Sequence, residues 1–242
     1  MIKGIQSAKA AMIAQSTRQD ITANNLANVQ TTGFKRDRLF QTDLIDAQSG
    51  VENGGELALR QLQKVITDFA QGGLHPTSAP LDVALQGEGF FVVSDGQKTY
   101  YTRNGHFQLS AEGKLITAQG HVVQGEGGEI LLPAGQVTIG SQGEIAVDGR
   151  TVAKLKVVAL ENPDDLAKAS GAMLVSKSGA AQEGEAQGTI VQQGFVETSN
   201  VDAMREMVEM IAIMRNYQVS AKALQAEDET LLKTVTEIGR VP

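Results

Sequence analysis

Acidic side chains and histidines are the residues of this chain best suited to chemistry, because it contains no cysteine. A hydrolase could use scattered acids such as Asp82, Glu88 and Asp95, which would require a concave site with carboxylates of shifted pKa. No Gly-x-Ser-x-Gly sequence is present to indicate a serine nucleophile. A hydrolase is therefore an alternative without a specific motif behind it.

Metal and cofactor sites find equally little support. The three histidines, His75, His106 and His121, are too few and too scattered for a zinc site. The glycine-rich stretch 125–129 (GEGGE) lacks the Lys-Ser/Thr of a phosphate-binding loop and contains two acids, so it favours a turn. We expect no metal and no cofactor.

Charge and hydropathy exclude further classes. Lys and Arg number 21 against 28 Asp and Glu, a formal net charge of −7, which argues against a nucleic-acid partner. The longest apolar run near the N-terminus, residues 10–14, is shorter than the roughly 20 residues of a membrane span. It is also shorter than the roughly 7–15-residue core of a signal peptide. We expect neither membrane insertion nor a cleaved signal peptide.

The C-terminal 40 residues show the clearest periodicity and predict a long helix. Thr198-Ser199-Asn200 offers N-caps, and Gly239 marks the end. Apolar residues at heptad spacing form a coiled-coil seam, which needs a partner. The seam consists of Ala203, Met207, Met210, Met214, Tyr217, Ala221, Leu224, Leu231, Val235 and Ile238.

The N-terminal 30 residues offer that partner. Ile5, Ala8, Met12 and Leu26 keep a helical spacing of three or four, although Gln15, Gln19 and Thr22 interrupt it. The methionines near the start of the C-terminal helix are either core residues or an adaptable surface for non-identical neighbours. We favour the surface, because methionine adapts to irregular contacts.

Three asparagines stand close together after the N-terminal helical pattern. Asn24, Asn25 and Asn28 are poor helix formers. They indicate either a fraying helix end with Asn28 as a cap, or amides that form fixed hydrogen bonds to neighbouring backbone. The residues leave both interpretations open, with Gly33 as a turn and Phe34 as an apolar anchor after them.

The middle of the chain predicts a β domain over residues 76–195. Residues 90–93 and 99–102 flank Asp95-Gly96 and predict a hairpin. Short strands at regular turn spacing follow. We predict these at 130–132, 136–139, 144–147 and 152–160.

The predicted fold class is α+β, with long N- and C-terminal helices forming a coiled-coil-like domain and an all-β middle domain. The bounds are an N-terminal helix at 1–30, a connecting segment at 31–75, the β domain at 76–195 and a C-terminal helix at 196–242.

Four blocks of the sequence resemble a known family. Residues 24–35 (NNLANVQTTGFK) are similar to the N-terminal signature of the bacterial flagellar rod and hook proteins. Residues 86–93, 101–107 and 194–201 resemble later blocks of that family, in the same order. The resemblance covers nearly the whole chain.

The resemblance implies a structural subunit of the flagellar basal-body rod and no enzymatic activity. In this family both terminal helices form the inner tube of a helical assembly, residues 31–75 correspond to contacts between subunits, and the β domain forms an outer layer. The implied partners are further copies, other rod and hook proteins and the flagellar export apparatus. The implied location is the basal-body rod across the periplasm, reached without a cleaved signal peptide.

Particular residues are expected at the contacts between subunits. They are Asn24, Asn25, Leu26, Asn28, Gly33, Phe34, Met207, Met210, Met214, Leu224 and Leu231.

Two further alternatives remain. The short stretch between Lys35 and Leu81 and the phrase at 120–126 resemble the proximal rod protein of the family, whereas residues 196–201 fit the distal rod protein equally well. We favour the proximal rod. In the second alternative, the β domain binds a glycan or a partner protein and the helices only oligomerise it.

Overall fold

The computed structural model of the protein describes residues 2–44, 60–179 and 181–238. The chain divides into two compact units, each built from separate stretches of sequence. The helical unit takes its residues from Met1–Ala27, Asp37–Ile66 and Asp202–Pro242. The β unit takes its residues from Asn28–Arg36 and Thr67–Val201.

The helical unit contains two helices and a two-stranded sheet. Its elements are α1 (Ile2–Ala27), β1 (Asp37–Leu44), β2 (Arg60–Thr67) and α2 (Ala203–Ile238). Helix α1 has 26 residues and α2 has 36, and the two pack against each other. Across the described residues, neither helix has the combined length and apolar content of a membrane span.

Helix α2 is capped by a residue other than those expected. The carboxylate of Asp202 accepts hydrogen bonds from the backbone N–H of Met204 at 3.0 Å and of Arg205 at 3.2 Å. This satisfies two donors that an α-helix leaves unpaired in its first turn. Asn200 instead uses its amide within the β unit, where it donates to the backbone oxygens of Asp68 and Ala70.

The prediction of long terminal helices that form a coiled-coil-like domain is wrong. The described residues contain two α-helices, the N-terminal one shorter, and the seam residues Met207 and Met214 are not buried between them. Met207 and Met214 are 51% and 49% exposed, whereas Glu206 and Ile213 are 1% and 4% exposed. A coiled coil needs its apolar seam residues buried between the helices.

The buried faces of the two helices explain the difference. Helix α1 buries Ala14 together with the polar residues Thr22 and Asn25, and α2 buries Glu206. Polar groups removed from water need hydrogen-bond partners, and Asn25 and Glu206 face each other inside the helical unit. Most of the large apolar side chains near the start of α2, with the exception of Ile213, are left on its exposed side.

The β unit is formed by short antiparallel strands, as the predicted β-rich middle requires. Its strands are β3 (Leu74–Pro76), β4 (Val83–Gln86), β5 (Phe90–Ser94), β6 (Thr99–Thr102), β7 (Phe107–Leu109), β8 (Leu115–Thr117), β9 (Val122–Gly125), β10 (Gly128–Glu129), β11 (Val137–Ile139), β12 (Glu144–Val147), β13 (Arg150–Lys154), β14 (Val157–Leu160), β15 (Leu166–Ser170), β16 (Met173–Ser176), β17 (Glu183–Glu185), β18 (Ile190–Gln193) and β19 (Phe195–Glu197). A 3₁₀ turn at Pro163–Asp165 precedes β15.

Most of these strands belong to one sheet. Its main path runs β15-β16-β6-β5-β9-β8-β7, with β10 beside β9, β14 beside β5 and β17 beside β14. Strands β11, β12 and β13 form a second sheet, and β18-β4 and β19-β3 are separate pairs.

Strand β5 lies at the centre of the unit and is buried on both faces. Phe91 and Val93 belong to the main core, whereas Phe90 and Val92 belong to a second cluster. Alternate residues of a strand point to opposite faces, so a strand with two buried faces is apolar throughout.

The predicted hairpin is confirmed, because β5 and β6 pair with Phe91 opposite Thr102 and Ser94 opposite Thr99. The stretch predicted as one strand at 152–160 is instead two strands. Leu155 N–H donates to the Gly143 carbonyl and Lys156 N–H donates to the Gln124 carbonyl. These consecutive residues bond to different neighbours, so β13 ends before them at Lys154 and β14 begins after them at Val157.

Candidate assembly surfaces

Asn25 on α1 is a predicted site residue that is buried and hydrogen-bonded through both ends of its amide. Its side-chain oxygen accepts from the Asp37 N–H at 2.9 Å, and its amide nitrogen donates to the Asp37 carbonyl at 2.9 Å. The same nitrogen lies 3.4 Å from Oε2 of Glu206 on α2. Asn25 therefore connects α1, the start of β1 and α2, as expected if the amides bond to nearby backbone.

The neighbours of Asn25 have different surroundings. Asn24 is exposed and Leu26 is half-buried on α1. Asn28 belongs to the β unit, where its side-chain oxygen accepts from the Thr31 hydroxyl at 3.2 Å. The structure therefore does not bring the three asparagines together at one site.

Gly33 and Phe34 are buried inside the β unit. Gly33 has a φ of +67°, and a Cβ at this position would lie 2.3 Å from the backbone nitrogen of Asn104. Phe34 packs under Lys168, whose Nζ lies 3.8 Å from the ring centroid. Both residues make contacts within one chain, and their predicted role between subunits remains a prediction.

A buried carboxylate holds the end of the signature segment in place. Glu197 Oε1 accepts from Lys35 Nζ at 2.5 Å and from the Gly72 N–H at 2.9 Å, and Oε2 accepts from Arg103 Nη1 at 3.3 Å. The Glu197 carbonyl accepts from the Gly33 N–H at 2.8 Å. We call these residues, Lys35, Arg103 and Glu197, the Glu197 cluster.

Two cations share this one carboxylate. Burial lowers the pKa of Lys35 and that of Arg103, while the charge of Glu197 acts in the opposite direction on both. Further acceptors stabilise the cations, because Lys35 Nζ donates to the Ala70 carbonyl at 2.8 Å and Arg103 Nη2 donates to the Gly87 carbonyl at 2.8 Å. Such a cluster joins distant segments of the chain.

Glu197 and Arg103 are not among the site residues predicted from the sequence, and their hydrogen bond to each other was not expected. Both lie within blocks that resemble the flagellar family, and each follows within two residues of an aromatic side chain, Tyr101 before Arg103 and Phe195 before Glu197. That pattern is a usable signal, because charged side chains are rarely fully buried unless they are paired.

The apolar residues of α2 form an exposed stripe. Met204, Met207, Val208, Ile211 and Met214 are all exposed large apolar side chains on this helix. We call these five residues the α2 stripe. Exposed apolar patches on a folded protein mark surfaces that other molecules cover.

The remaining predicted seam residues differ from these. Met210 and Leu224 are half-buried on α2. Leu231 belongs to α2, but its side chain lies outside what the structure describes. The structure therefore exposes Met207 and Met214 on α2 and leaves Met210 and Leu224 half-buried.

The candidate acids do not form one site. Asp82 is buried, and its Oδ1 lies 2.6 Å from Nδ1 of His106. Asp95 closes the β5–β6 turn by accepting the backbone N–H groups of Gln97 and Lys98 at 2.8 and 2.7 Å. Glu88 is exposed in the loop before β5.

The glycine-rich stretch at 125–129 and His121 make contacts that stabilise the β unit. Residues 125–129 form the tight β9–β10 hairpin, with Gly125 opposite Gly128, so the predicted turn is confirmed. His121 packs edge-on against Tyr100, with 5.1 Å between ring centroids. Within the described part of the chain, no three His, Cys, Asp or Glu side chains are grouped to hold a metal ion.

Three family models match the chain in the order of its elements. "Flagella basal body rod protein" matches residues 5–35, "Flagellar hook protein FlgE/F/G D1 domain" matches 84–147, and "Flagellar basal body rod FlgEFG protein C-terminal" matches 192–237. These matches define the class as an axial protein of the bacterial flagellum.

Individual relatives agree with this class. The chain is 32% identical to the flagellar basal-body rod protein FlgG of Buchnera aphidicola subsp. Acyrthosiphon pisum, over 96% of this chain and 98% of the relative. It is 31% identical to FlgG of Bacillus subtilis, over 97% and 98%. It is also 31% identical to the rod protein FlgF of Caulobacter vibrioides, over 92% of each. The chain belongs to the flagellar basal-body rod protein family.

Proposed function

We propose that this protein is a structural subunit of the flagellar basal-body rod, which assembles with further copies and with other rod and hook proteins. Family membership supports a structural role without catalysis. The single observation that carries the mode of assembly is the α2 stripe, because five large apolar side chains are exposed while the polar residues Asn25 and Glu206 are buried in the helical unit.

The stripe suits contacts with several different neighbours. Three of its five residues are methionines, whose flexible side chains adapt to surfaces of different shape. A subunit at the border between two kinds of rod protein has to contact non-identical partners. We assign direct contacts to the exposed predicted residues Asn24, Met207 and Met214, and a supporting role to the half-buried Leu26, Asn28, Met210 and Leu224.

Gly33 and Phe34 act differently in this proposal. Because both are buried, they fix the shape of the signature segment, and the segment then presents its exposed neighbours to adjoining subunits. Asn25 has the same supporting role on α1. Leu231 remains a proposed contact on α2.

Within the rod we propose the proximal position, that of FlgF. The short stretch after the signature and the phrase at 120–126 support this choice. The relatives named FlgG and FlgF match at nearly equal identity and do not distinguish the two positions. We further propose that the protein is exported by the flagellar apparatus without a cleaved signal peptide and lies in the rod across the periplasm.

Isolation of basal bodies tests the function itself. A tagged copy should be retained in purified hook–basal bodies and be detected there by mass spectrometry. Deletion of its gene should abolish swimming. A protein absent from basal bodies, in cells that swim normally without it, would contradict the proposed function.

A matched pair of substitutions tests the surface. Met207→Asp places a charge in the α2 stripe, whereas Asn216→Asp places the same charge at an exposed polar position of α2. We expect Met207→Asp to keep the helical content measured by circular dichroism but to lose incorporation into basal bodies. Asn216→Asp should incorporate normally. Met210 is less suitable, because it is half-buried and its substitution also affects folding.

A further inference from the structure

We infer that the buried contact between Asn25 and Glu206 sets the rotation of α2 against α1, and so keeps the α2 stripe on the outside of the helical unit. The contact joins Asn25 Nδ2 and Glu206 Oε2 across 3.4 Å. The importance of an exposed stripe rests on the proposed function, whereas the rotation itself is a property of the single chain.

The amide that faces Glu206 has a fixed orientation. Asn25 forms two hydrogen bonds with the backbone of Asp37, one through each end of its amide, and both are 2.9 Å long. These bonds leave the second N–H of the amide directed to Glu206. Because the Asn25 amide is held by the Asp37 backbone, its second N–H has a fixed direction, and Glu206 is the α2 side chain that lies in that direction.

Apolar burial alone favours a different rotation of α2. If Met207 and Met214 replaced Glu206 and Ile213 at the contact, Ala203 and Met210 would remain near it in both arrangements. Successive residues of an α-helix are about 100° apart, so this exchange needs a rotation of about half that angle. The sequence pattern predicts this second arrangement, and the structure shows the first.

The buried face of α1 explains why the first arrangement prevails. Thr22 and Asn25 are buried there, and in the second arrangement they would face methionine side chains. A buried donor without an acceptor is unfavourable, because it loses its hydrogen bonds with water and gains none. Buried polar groups are known to fix the register of packed helices in this way.

Cysteine reporters test the inference, because the natural chain contains no cysteine. Met214→Cys reports an exposed position and Ile213→Cys reports a buried one. Each reporter is introduced into the full chain with Glu206 intact, with Glu206→Ala, which removes the acceptor, or with Glu206→Gln, which keeps an oxygen acceptor. The rate of alkylation by a maleimide is measured on the unassembled protein.

With Glu206→Ala we expect alkylation at position 214 to slow by about tenfold and alkylation at position 213 to accelerate by a similar factor, as loss of one buried hydrogen bond implies. Glu206→Gln should leave both rates unchanged. Opposite changes at the two positions identify a rotation, since loosening of the helix pair would raise both rates.

Two results would overturn the inference. Unchanged rates in Glu206→Ala would show that the contact does not set the rotation, and increased rates at both positions would show that it only holds the helices together. Either result leaves the proposed function standing, because the measurement uses unassembled protein. Conversely, absence of the protein from basal bodies would leave the expected alkylation rates at positions 213 and 214 unchanged.

Discussion

Lys35 and Glu197 form an ion pair inside the β unit, with 2.5 Å between Nζ and Oε1 and both side chains buried. Arg103 completes the Glu197 cluster from the end of the β5–β6 hairpin. The last charged residue of the signature segment is therefore bound within the chain and is not available at its surface. This contact gives the lysine directly after Gly33-Phe34 a structural role.

Removal of the Glu197 carboxylate should destabilise the β unit strongly. Glu197→Ala leaves Lys35 and Arg103 buried without their counter-ion, and breaking a buried pair in this way costs about 3–5 kcal/mol of the free energy of unfolding. Chemical denaturation checks the value. The control is Lys114→Ala, which breaks the exposed 2.7 Å pair with Glu129 and should leave stability nearly unchanged. Equal effects of the two substitutions would contradict the role given to the cluster.

Gly33→Ala should destabilise the protein more than Gly96→Ala. Both glycines have a positive φ, but only Gly33 lacks space for a Cβ. Gly33 has a φ of +67°, and a Cβ added to it would lie 2.3 Å from the backbone of Asn104, whereas Gly96 has a φ of +90° and no atom within 4 Å of such a Cβ. Gly96→Ala should cost about 1–3 kcal/mol for the strained backbone. Gly33→Ala should exceed that by about 1–3 kcal/mol because of the steric clash. Thermal unfolding of both variants compares them, and similar losses would show that the close approach is not limiting.

The acid stability of the β5–β6 turn should depend on Asp95. Backbone N–H groups of Lys98 and Gln97 hold the pKa of this carboxyl below its ordinary value of 3.8. Because the pKa of Asp95 is lower in the folded state than in the unfolded state, its ionised carboxylate stabilises the fold above about pH 3.8. This stabilisation is lost as the pH falls through the pKa of the folded state. Asp95→Asn should remove this contribution.

The stability of the natural chain and of Asp95→Asn should therefore converge in acid. The measurement is the free energy of unfolding of both proteins between neutral pH and strong acid, together with the titration of Asp95 by NMR. A difference between the two proteins that stays constant over the whole range would refute this prediction.

Phe34→Ala should destabilise the β unit by about 3–5 kcal/mol, because it removes a fully buried ring and leaves a cavity. Phe34→Leu retains apolar volume but loses the ring under Lys168. It should therefore be less harmful than Phe34→Ala. Urea denaturation distinguishes them, and a larger loss from Phe34→Leu than from Phe34→Ala would count against the cavity argument.

Local patterns in the sequence predicted the β unit well and the helical unit poorly. The β5–β6 hairpin follows from Asp95-Gly96 and its flanking residues, all between Phe90 and Thr102. The face that α2 buries does not follow from local patterns. Apolar periodicity selects Met207 and Met214, whereas the structure buries Glu206 and Ile213 because Asn25 lies opposite.

For the candidate site residues too, contacts between near neighbours could be predicted from the sequence and contacts between distant residues could not. The sequence indicated two interpretations for the asparagines, and Asn25 forms the backbone hydrogen bonds of the second one. The Glu197 cluster was not predicted, since its members are brought together by strands that are far apart in sequence. Periodicity and turn residues report on near neighbours, so a pairing of this kind requires the folded structure.

The position of Glu197 along the chain has a consequence for the order in which the β unit becomes complete. Glu197 lies 162 positions after Lys35 and 94 positions after Arg103. Because synthesis proceeds from the N-terminus, both cations are present long before their counter-ion is made. Contacts between distant residues also form late, because closing a long loop is entropically unfavourable. The Glu197 cluster is therefore completed only after the chain has been made as far as residue 197, so the β unit reaches its final form late.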